Sequence, residues 1–137
     1  AIVNIASVAG KRISFLGGAD YTAAKSGVLG FTRHAAFELA QDGIRVNAIC
    51  PGPVLTPLTT GATTEAQRAQ VAETVPLGRW VQPQDIANAA LFLASADAAM
   101  CTGTSLDVDG GVMVSNGVSY RDYMERRGGT ARKPPAG

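Results

Sequence analysis

The chain opens on AIVNIA (1–6), a short apolar run rich in β-branched residues, the pattern of a strand buried on both faces of a parallel sheet. Residues 7–18 read as a loop. A helical period follows: Asp20 can cap a helix running to about Gln41, with Ala24, Val28, Phe31, Ala35 and Leu39 on one stripe at spacings of four and three. Gly43 suits its end. Residues 44–50, IRVNAIC, alternate and are β-branched enough for a second strand, which Pro51 and Gly52 terminate. After a further loop, 64–73 reads as a short amphipathic helix. Residues 83–95 read as a better one, with Ile86, Ala90 and Leu93 on one stripe and Pro83 suited to the first turn. Residues 106–108 are a brief last strand before Gly110 and Gly111. The order β, α, β, helices, β has connections long enough for parallel crossovers, and so predicts part of a doubly wound α/β sheet. There is no internal repeat. From residue 118 the composition changes, and the closing GGTARKPPAG reads as a flexible end.

Composition sharpens this picture. A chain of 137 residues suits one domain with a real core, and 46% hydrophobic against 17% charged residues suits a buried α/β protein. The formal net charge of +1 gives no long-range field that would mark a nucleic acid or an anionic membrane as partner. Only the tail leans basic, through Arg121, Arg126, Arg127, Arg132 and Lys133. Cys50 and Cys101 lack the spacing of a zinc site or redox pair, and read as buried reduced thiols in a reducing cytoplasm. No apolar run approaches a membrane span and no leader pattern is present, so a soluble cytoplasmic protein is expected. The chain begins at Ala1 rather than Met, directly inside an apolar run, and further residues are expected before it.

Tyr21 and Lys25 lie four apart near the start of the long helix, so their side chains share a face. A free tyrosine titrates near ~10 and is a poor base at neutral pH. The ammonium of Lys25, the positive end of the helix and an oxidised nicotinamide would each favour the phenolate. Taken alone, such a pair is more often an ordinary feature of a solvated helix face. Ser7 changes the weighing. It lies at the C-terminal end of the first strand, where open α/β sheets place their ligand crevice, and its hydroxyl can donate to a substrate oxygen as charge builds there, although by itself such a serine is more often a turn residue.

Read together, NIASVAG ending a strand, YTAAK opening a helix, IRVNAICPGPVLTP, PLGRWVQPQDIANAALFLAS and TGTSLDVDGG resemble the second half of the short-chain dehydrogenase/reductase family, over about residues 1–111. The resemblance implies a Rossmann-like fold and an NAD(P)-dependent oxidoreductase that moves a hydride between NAD or NADP and an alcohol or carbonyl substrate. It implies Tyr21 as proton donor or acceptor. Lys25 would lower the pKa of that phenol and hold the nicotinamide ribose, and Ser7 would polarise the substrate oxygen. Pro51, Gly52, Val54 and Thr56 match the family's PGxVxT stretch, which holds the nicotinamide carboxamide. On the residues alone, a Pro-Gly pair after a strand is usually a turn. The family commonly forms homotetramers, and Ala23, Ala24, Gly27 and Gly30 are small enough for close helix approach, though equally suited to packing within one chain. The stretch 56–75 resembles the family's mobile substrate cover and could act as a lid.

Other candidates keep structural readings: His34 mid-helix, Asp107 and Asp109 flanking the last strand with no metal implied, and Trp80 beside Arg79 as packing. The family's glycine-rich pyrophosphate turn, its coenzyme-selecting residue and its catalytic asparagine are not in these residues. Residues 1–117 are therefore expected to be the C-terminal catalytic half of the domain and 118–137 an extension. Such a half leaves one strand edge open, so the isolated chain is expected to be unstable or aggregated, and inactive. Two functions stand: the catalytic half of a dehydrogenase, or a non-catalytic fragment or interaction module that retains the fold. A sugar-nucleotide epimerase of the extended relatives shares YxxxK, and the short ending after Gly111 argues against it.

Overall fold

In this computed structural model, which describes residues 1–14, 16–115 and 118–129, β1 (Ile2–Ile5), β2 (Val46–Pro51) and β3 (Ser105–Val108) form a parallel sheet in the order β1-β2-β3. Among the described residues five α-helices accompany it: α1 (Ala19–Glu38), α2 (Pro57–Gly61), α3 (Glu65–Thr74), α4 (Pro83–Ala94) and α5 (Tyr120–Arg126). Contacts divide the chain into two units. The first joins Ala1–Pro51 to Gln84–Val108, and the second joins Gly52–Pro83 to the described residues from Asp109 onward.

The first unit carries the sheet. Every residue of β2 is buried, as its apolar run predicts for a strand covered on both faces. Its side chains alternate: Val46, Ala48 and Cys50 pack in the clusters that hold Leu29, Ala35 and Ala36 of α1, whereas Ile49 packs with Leu93 of α4, Ala98, Ile86, Leu106 and Val108. Side chains as buried as Ile49 and Leu93 each contribute about 1.5–3 kcal/mol. Asn47 is also fully buried, and both ends of its amide are satisfied: Nδ2 donates to the Cys101 carbonyl at 2.7 Å and Oδ1 accepts from Thr104 N–H at 3.1 Å. The parallel register sets Ile5 opposite Ile49 and Cys50 opposite Asp107.

The structure turns α1 relative to the expected stripe. Leu29, Thr32, Ala35 and Ala36 are buried, while Ala24 is exposed and Phe31 is 64% exposed. Thr32 can be buried because its hydroxyl donates to Val28 O at 2.8 Å and accepts from Asn4 Nδ2 at 3.0 Å. The cap also differs. Gly18 is the N-cap and offers no side chain, so Asp20 acts only as a first-turn carboxylate favourable to the helix dipole. The helix passes at Leu39 into a 3-10 turn that Gly43 ends in the left-handed region, at φ 67°. Pro51 is the last residue of β2 rather than a residue beyond it.

β1 pairs on one side with β2; among the described residues nothing pairs with its other side, where Ile2 is 42% and Ile5 48% exposed.

The second unit holds more helix than expected. Thr56 caps α2, with Pro57 in the first turn, where a loop was expected. Thr64 and Gln67 form a reciprocal cap on α3. Ser119 caps α5, an element that the change of composition after residue 118 did not reveal. Trp80 is a packing residue, buried with Nε1 donating to Arg68 O at 2.8 Å. The boundary expected at residue 117, and most of the closing segment expected to be flexible (130–137), lie outside the described residues. Both cysteines are free, but only Cys50 is buried; Cys101 is partly exposed. Among the described residues no helix is long and apolar enough to cross a membrane.

Candidate active site

Ser7 stands just past the tip of β1. The chain there is held by Ala6 N–H on the Ile49 carbonyl at 2.8 Å, and Ser7 takes an extended conformation that begins a 3-10 turn, Val8–Gly10. Its Oγ accepts the Ala9 N–H at 3.1 Å. A hydroxyl has a second lone pair and one hydrogen, so capping the turn leaves Ser7 a proton to donate. The turn is seated on α1: Ser26 Oγ donates to Gly10 O at 3.0 Å, and a Cβ at Gly10 would lie 2.8 Å from the Lys25 carbonyl oxygen. Only glycine permits that approach.

Tyr21 is the third residue of α1 and is 40% exposed. One helical turn on, the Lys25 ammonium lies 5.7 Å from the Tyr21 ring centroid and donates to the Ile5 carbonyl at 3.1 Å. A single cation thus links the phenol to the strand tip two residues before Ser7. It holds three donors, of which this bond uses one. Lys25 and Tyr21 are therefore tied to the end of β1 that Ser7 follows, at the C-terminal edge of the sheet.

The PGxVxT stretch divides between the units. Pro51 is buried at the end of β2. In the second unit, a Cβ at Gly52 would come within 2.8 Å of the Asp109 Cα, so glycine there answers a close backbone approach. Val54 bridges to Val81, with Leu55 N–H on Val81 O at 2.8 Å. The Thr56 hydroxyl accepts the Thr59 N–H at 3.3 Å. The Thr59 hydroxyl has carbonyls at 2.9 Å (Val54) and 3.0 Å (Thr56) for its one hydrogen, which leaves the Thr56 proton for Thr59 Oγ1 or a ligand.

His34 is exposed beside Glu38, at 3.1 Å. Asp109 spends both carboxylate oxygens on backbone N–H groups, of Gly111 and Met113, each at 2.8 Å. Among the described residues, no group of three or more His, Cys, Asp or Glu side chains converges as a metal site would. Sequence reasoning missed Gly10, Lys11 and Ser26. Lys11 reaches Asp107, 96 positions away and 2.6 Å distant, and no local pattern announces such a pair. It also missed the surroundings of Cys50: burial pushes this thiol up, the Lys11 ammonium works against that shift, and the Asp107 carboxylate adds to it.

Comparison with known proteins places these features in a family. The family described as enoyl-(acyl carrier protein) reductase matches residues 1–113. A glucose and ribitol dehydrogenase homolog of Oryza sativa subsp. japonica is 46% identical over 96 residues, 70% of this chain and 32% of the rice protein. A solved 3-oxoacyl-[acyl-carrier protein] reductase from Brucella melitensis with bound NAD superposes with a TM-score of 0.71 at 40% identity, covering 81% of this chain and 40% of that one. An actinorhodin polyketide ketoreductase variant with NADPH gives a TM-score of 0.76 at 40% identity, covering 81% and 46%. The chain thus spans between about a third and just under half the length of these relatives.

Proposed function

The chain belongs to the short-chain dehydrogenase/reductase family, and from that membership we propose that the whole protein transfers a hydride between NAD or NADP and an alcohol or carbonyl substrate, with Tyr21 as general acid/base. Two solved relatives with NAD and NADPH bound support the choice of coenzyme. The observation that carries the reading is the placement of Lys25, which anchors the strand tip through Ile5 O while its charge lies beside the Tyr21 ring.

The donor set fits a nicotinamide dinucleotide. Lys25 keeps two N–H groups beyond its bond to Ile5, suited to vicinal ribose hydroxyls, and the partly exposed Tyr21 phenol can share them. The bound coenzyme supplies or accepts the hydride. Tyr21 gives or takes the proton on the substrate oxygen, with the Lys25 ammonium as the positive charge beside the phenol. Ser7 donates its free hydroxyl proton to the same oxygen as negative charge builds on it. From the PGxVxT match, we assign the Thr56 hydroxyl and the backbone of Gly52 and Val54, in the second unit, and the backbone of Pro51, at the end of the first, to the carboxamide of the coenzyme.

This reading takes residues 1–117 as the catalytic half of the domain and 118–137 as an extension. It takes the whole protein as a cytoplasmic homo-oligomer. Two free cysteines support the compartment. Assembly through α1 is supported by exposed Ala23, Ala24, Gly27 and Phe31, and by Gly27 and Gly30, where an added Cβ would meet nothing; light scattering on the whole protein decides it.

Tyr21→Phe tests the central assignment. In the whole protein it is expected to lower turnover by about 10²-fold or more while leaving coenzyme affinity, read by NADPH fluorescence, within a factor of a few. Turnover near that of the parent would refute the role of the phenol, whereas a parent protein that binds coenzyme weakly or not at all and shows no turnover would favour a non-catalytic module.

A further inference from the structure

The 3-10 turn after β1 is fastened at both ends. At its start Ser7 Oγ accepts the Ala9 N–H. At its end Lys11, whose own N–H returns to Val8 O at 3.0 Å, sends its side chain across to β3. There Nζ lies 2.6 Å from Asp107 Oδ1 and 3.3 Å from the Ser105 carbonyl oxygen. The two side chains are only 25% and 33% exposed, so the pair is partly withdrawn from water, where a charge-assisted hydrogen bond is stronger than on an open surface. Between the two fastenings, Gly10 rests on α1 through Ser26.

The neighbourhood of the pair reaches back to Ser7. Asp107 stands opposite Cys50 in the β2–β3 ladder, and the Cys50 thiol feels the Lys11 ammonium, the Asp107 carboxylate and the backbone N–H of Ser7. The Asp107 carboxylate, the Lys11 ammonium and the Ser7 backbone therefore each lie within interaction range of the Cys50 thiol, inside a single compact unit. Ser7 Oγ is itself a cap of the turn, so the direction of its hydroxyl and the geometry of the turn are not independent.

We propose that Lys11 is a positioning residue for Ser7: through its ion pair with Asp107 it holds the 3-10 turn in place and so fixes the direction in which the Ser7 hydroxyl is presented. The inference rests on the role given to Ser7 above and deepens it. Neither Lys11 nor Asp107 touches the reacting atoms. Their effect passes through the backbone of residues 7–11, and it depends on the charge pair rather than on either side chain's bulk.

The test uses the whole protein with Lys11→Met, Asp107→Asn and the exchanged pair Lys11→Asp/Asp107→Lys, and places Lys11→Met also in a Ser7→Ala background. Hydrogen exchange of the amides of residues 9–11 and the kinetics of acetoacetyl-CoA reduction with NADPH or NADH are the two readouts. Either single substitution is expected to speed exchange in the turn by about 10-fold. Each is expected to lower kcat on the order of 10-fold while coenzyme affinity stays within a factor of two. The exchanged pair should recover part of both losses. In the Ser7→Ala background, Lys11→Met should lower kcat no further, a non-additivity that a merely structural ion pair would not produce.

Unchanged exchange in the turn overturns the inference whether or not acetoacetyl-CoA is a substrate. Impaired Ser7→Ala together with unimpaired Lys11→Met overturns it while leaving the catalytic reading intact. Normal turnover by Ser7→Ala overturns the catalytic role of Ser7, and the inference with it.

Discussion

Gly10→Ala isolates the contact between the Ser7 turn and α1 without touching any reacting group. A Cβ built on Gly10 would sit 2.8 Å from the Lys25 carbonyl oxygen, 2.9 Å from its carbonyl carbon and 2.9 Å from Leu29 Cδ1. The leucine can rotate; the backbone of a helix interior cannot. Relief to a normal separation of about 3.5 Å therefore requires the turn to lift by roughly 0.7 Å from α1. Overpacking of this kind costs about 1–3 kcal/mol, and stretching the Ser26 to Gly10 hydrogen bond adds about 1 kcal/mol. A loss of about 2–4 kcal/mol is expected in the urea unfolding of the whole protein. Ser7 heads the same turn, so the displacement carries over to its hydroxyl. Misplacement by about 1 Å can cost 10²-fold in rate, so a kcat decrease on the order of 10-fold or more is expected under conditions where the variant is folded. Gly61→Ala is the control: a Cβ there meets nothing within 4 Å, and stability should change by less than about 1 kcal/mol. If Gly10→Ala matched its parent in unfolding midpoint and in kcat, the turn would not be seated on α1 in the way described.

Three further outcomes are expected. Arg45 holds the C-terminal end of α4, donating to the carbonyls of Leu93 at 2.7 Å, Ser95 at 2.9 Å, Ala94 at 3.3 Å and Cys101 at 3.4 Å; Arg45→Met should cost about 2–4 kcal/mol in urea unfolding, and a loss below about 0.5 kcal/mol would remove that role. Because burial raises the Cys50 thiol above its unfolded value of about 8.5, its contribution to stability is complete below that pH and is lost as pH rises toward the folded value. Stability should therefore fall from about pH 8 upward more steeply in the parent than in Cys50→Ala, and parallel profiles between pH 7 and 10 would contradict the shift. Produced by itself, the 137-residue chain should aggregate through the side of β1 that no described residue pairs with, and Ile2→Lys/Ile5→Lys should lower its light scattering; a cooperatively melting monomer with dehydrogenase activity would overturn this.

β2 and α1 differ in how much of this site their sequences disclose. β2 was legible because burial on both faces leaves no polar alternation to hide it, and α4 because Ile86, Ala90 and Leu93 are its one coherent apolar stripe. α1 offers two stripes. Ala24, Val28, Phe31, Ala35 and Leu39 form the more hydrophobic one; of these Ala35 is buried and Val28 and Leu39 pack against the core, but Ala24 and Phe31 are exposed, and Leu29, Thr32 and Ala36 are buried instead. Thr32 disguises the true face, because full satisfaction of its hydroxyl needs, beside the local Val28 carbonyl, a donor from Asn4, 28 positions away. That rotation also aims Lys25 inward, so that its ammonium reaches Ile5 O, and the same long-range condition therefore decides both the packing and the placement of the cation. Tyr21, Lys25 and Ser7 are candidates through the family pattern read as a set, since spacing and strand position alone favour an ordinary helix face and a turn. Lys11 is not among them: its partner lies on β3, and only the order of the parallel strands brings Asp107 under the turn that Ser7 begins. The groups proposed to meet substrate belong to a motif, whereas the groups that hold their backbone depend on the topology. A variant set confined to motif residues would miss the second kind, and the coupling of Lys11 to Ser7 is the measurement that reveals whether the topology contributes to the chemistry.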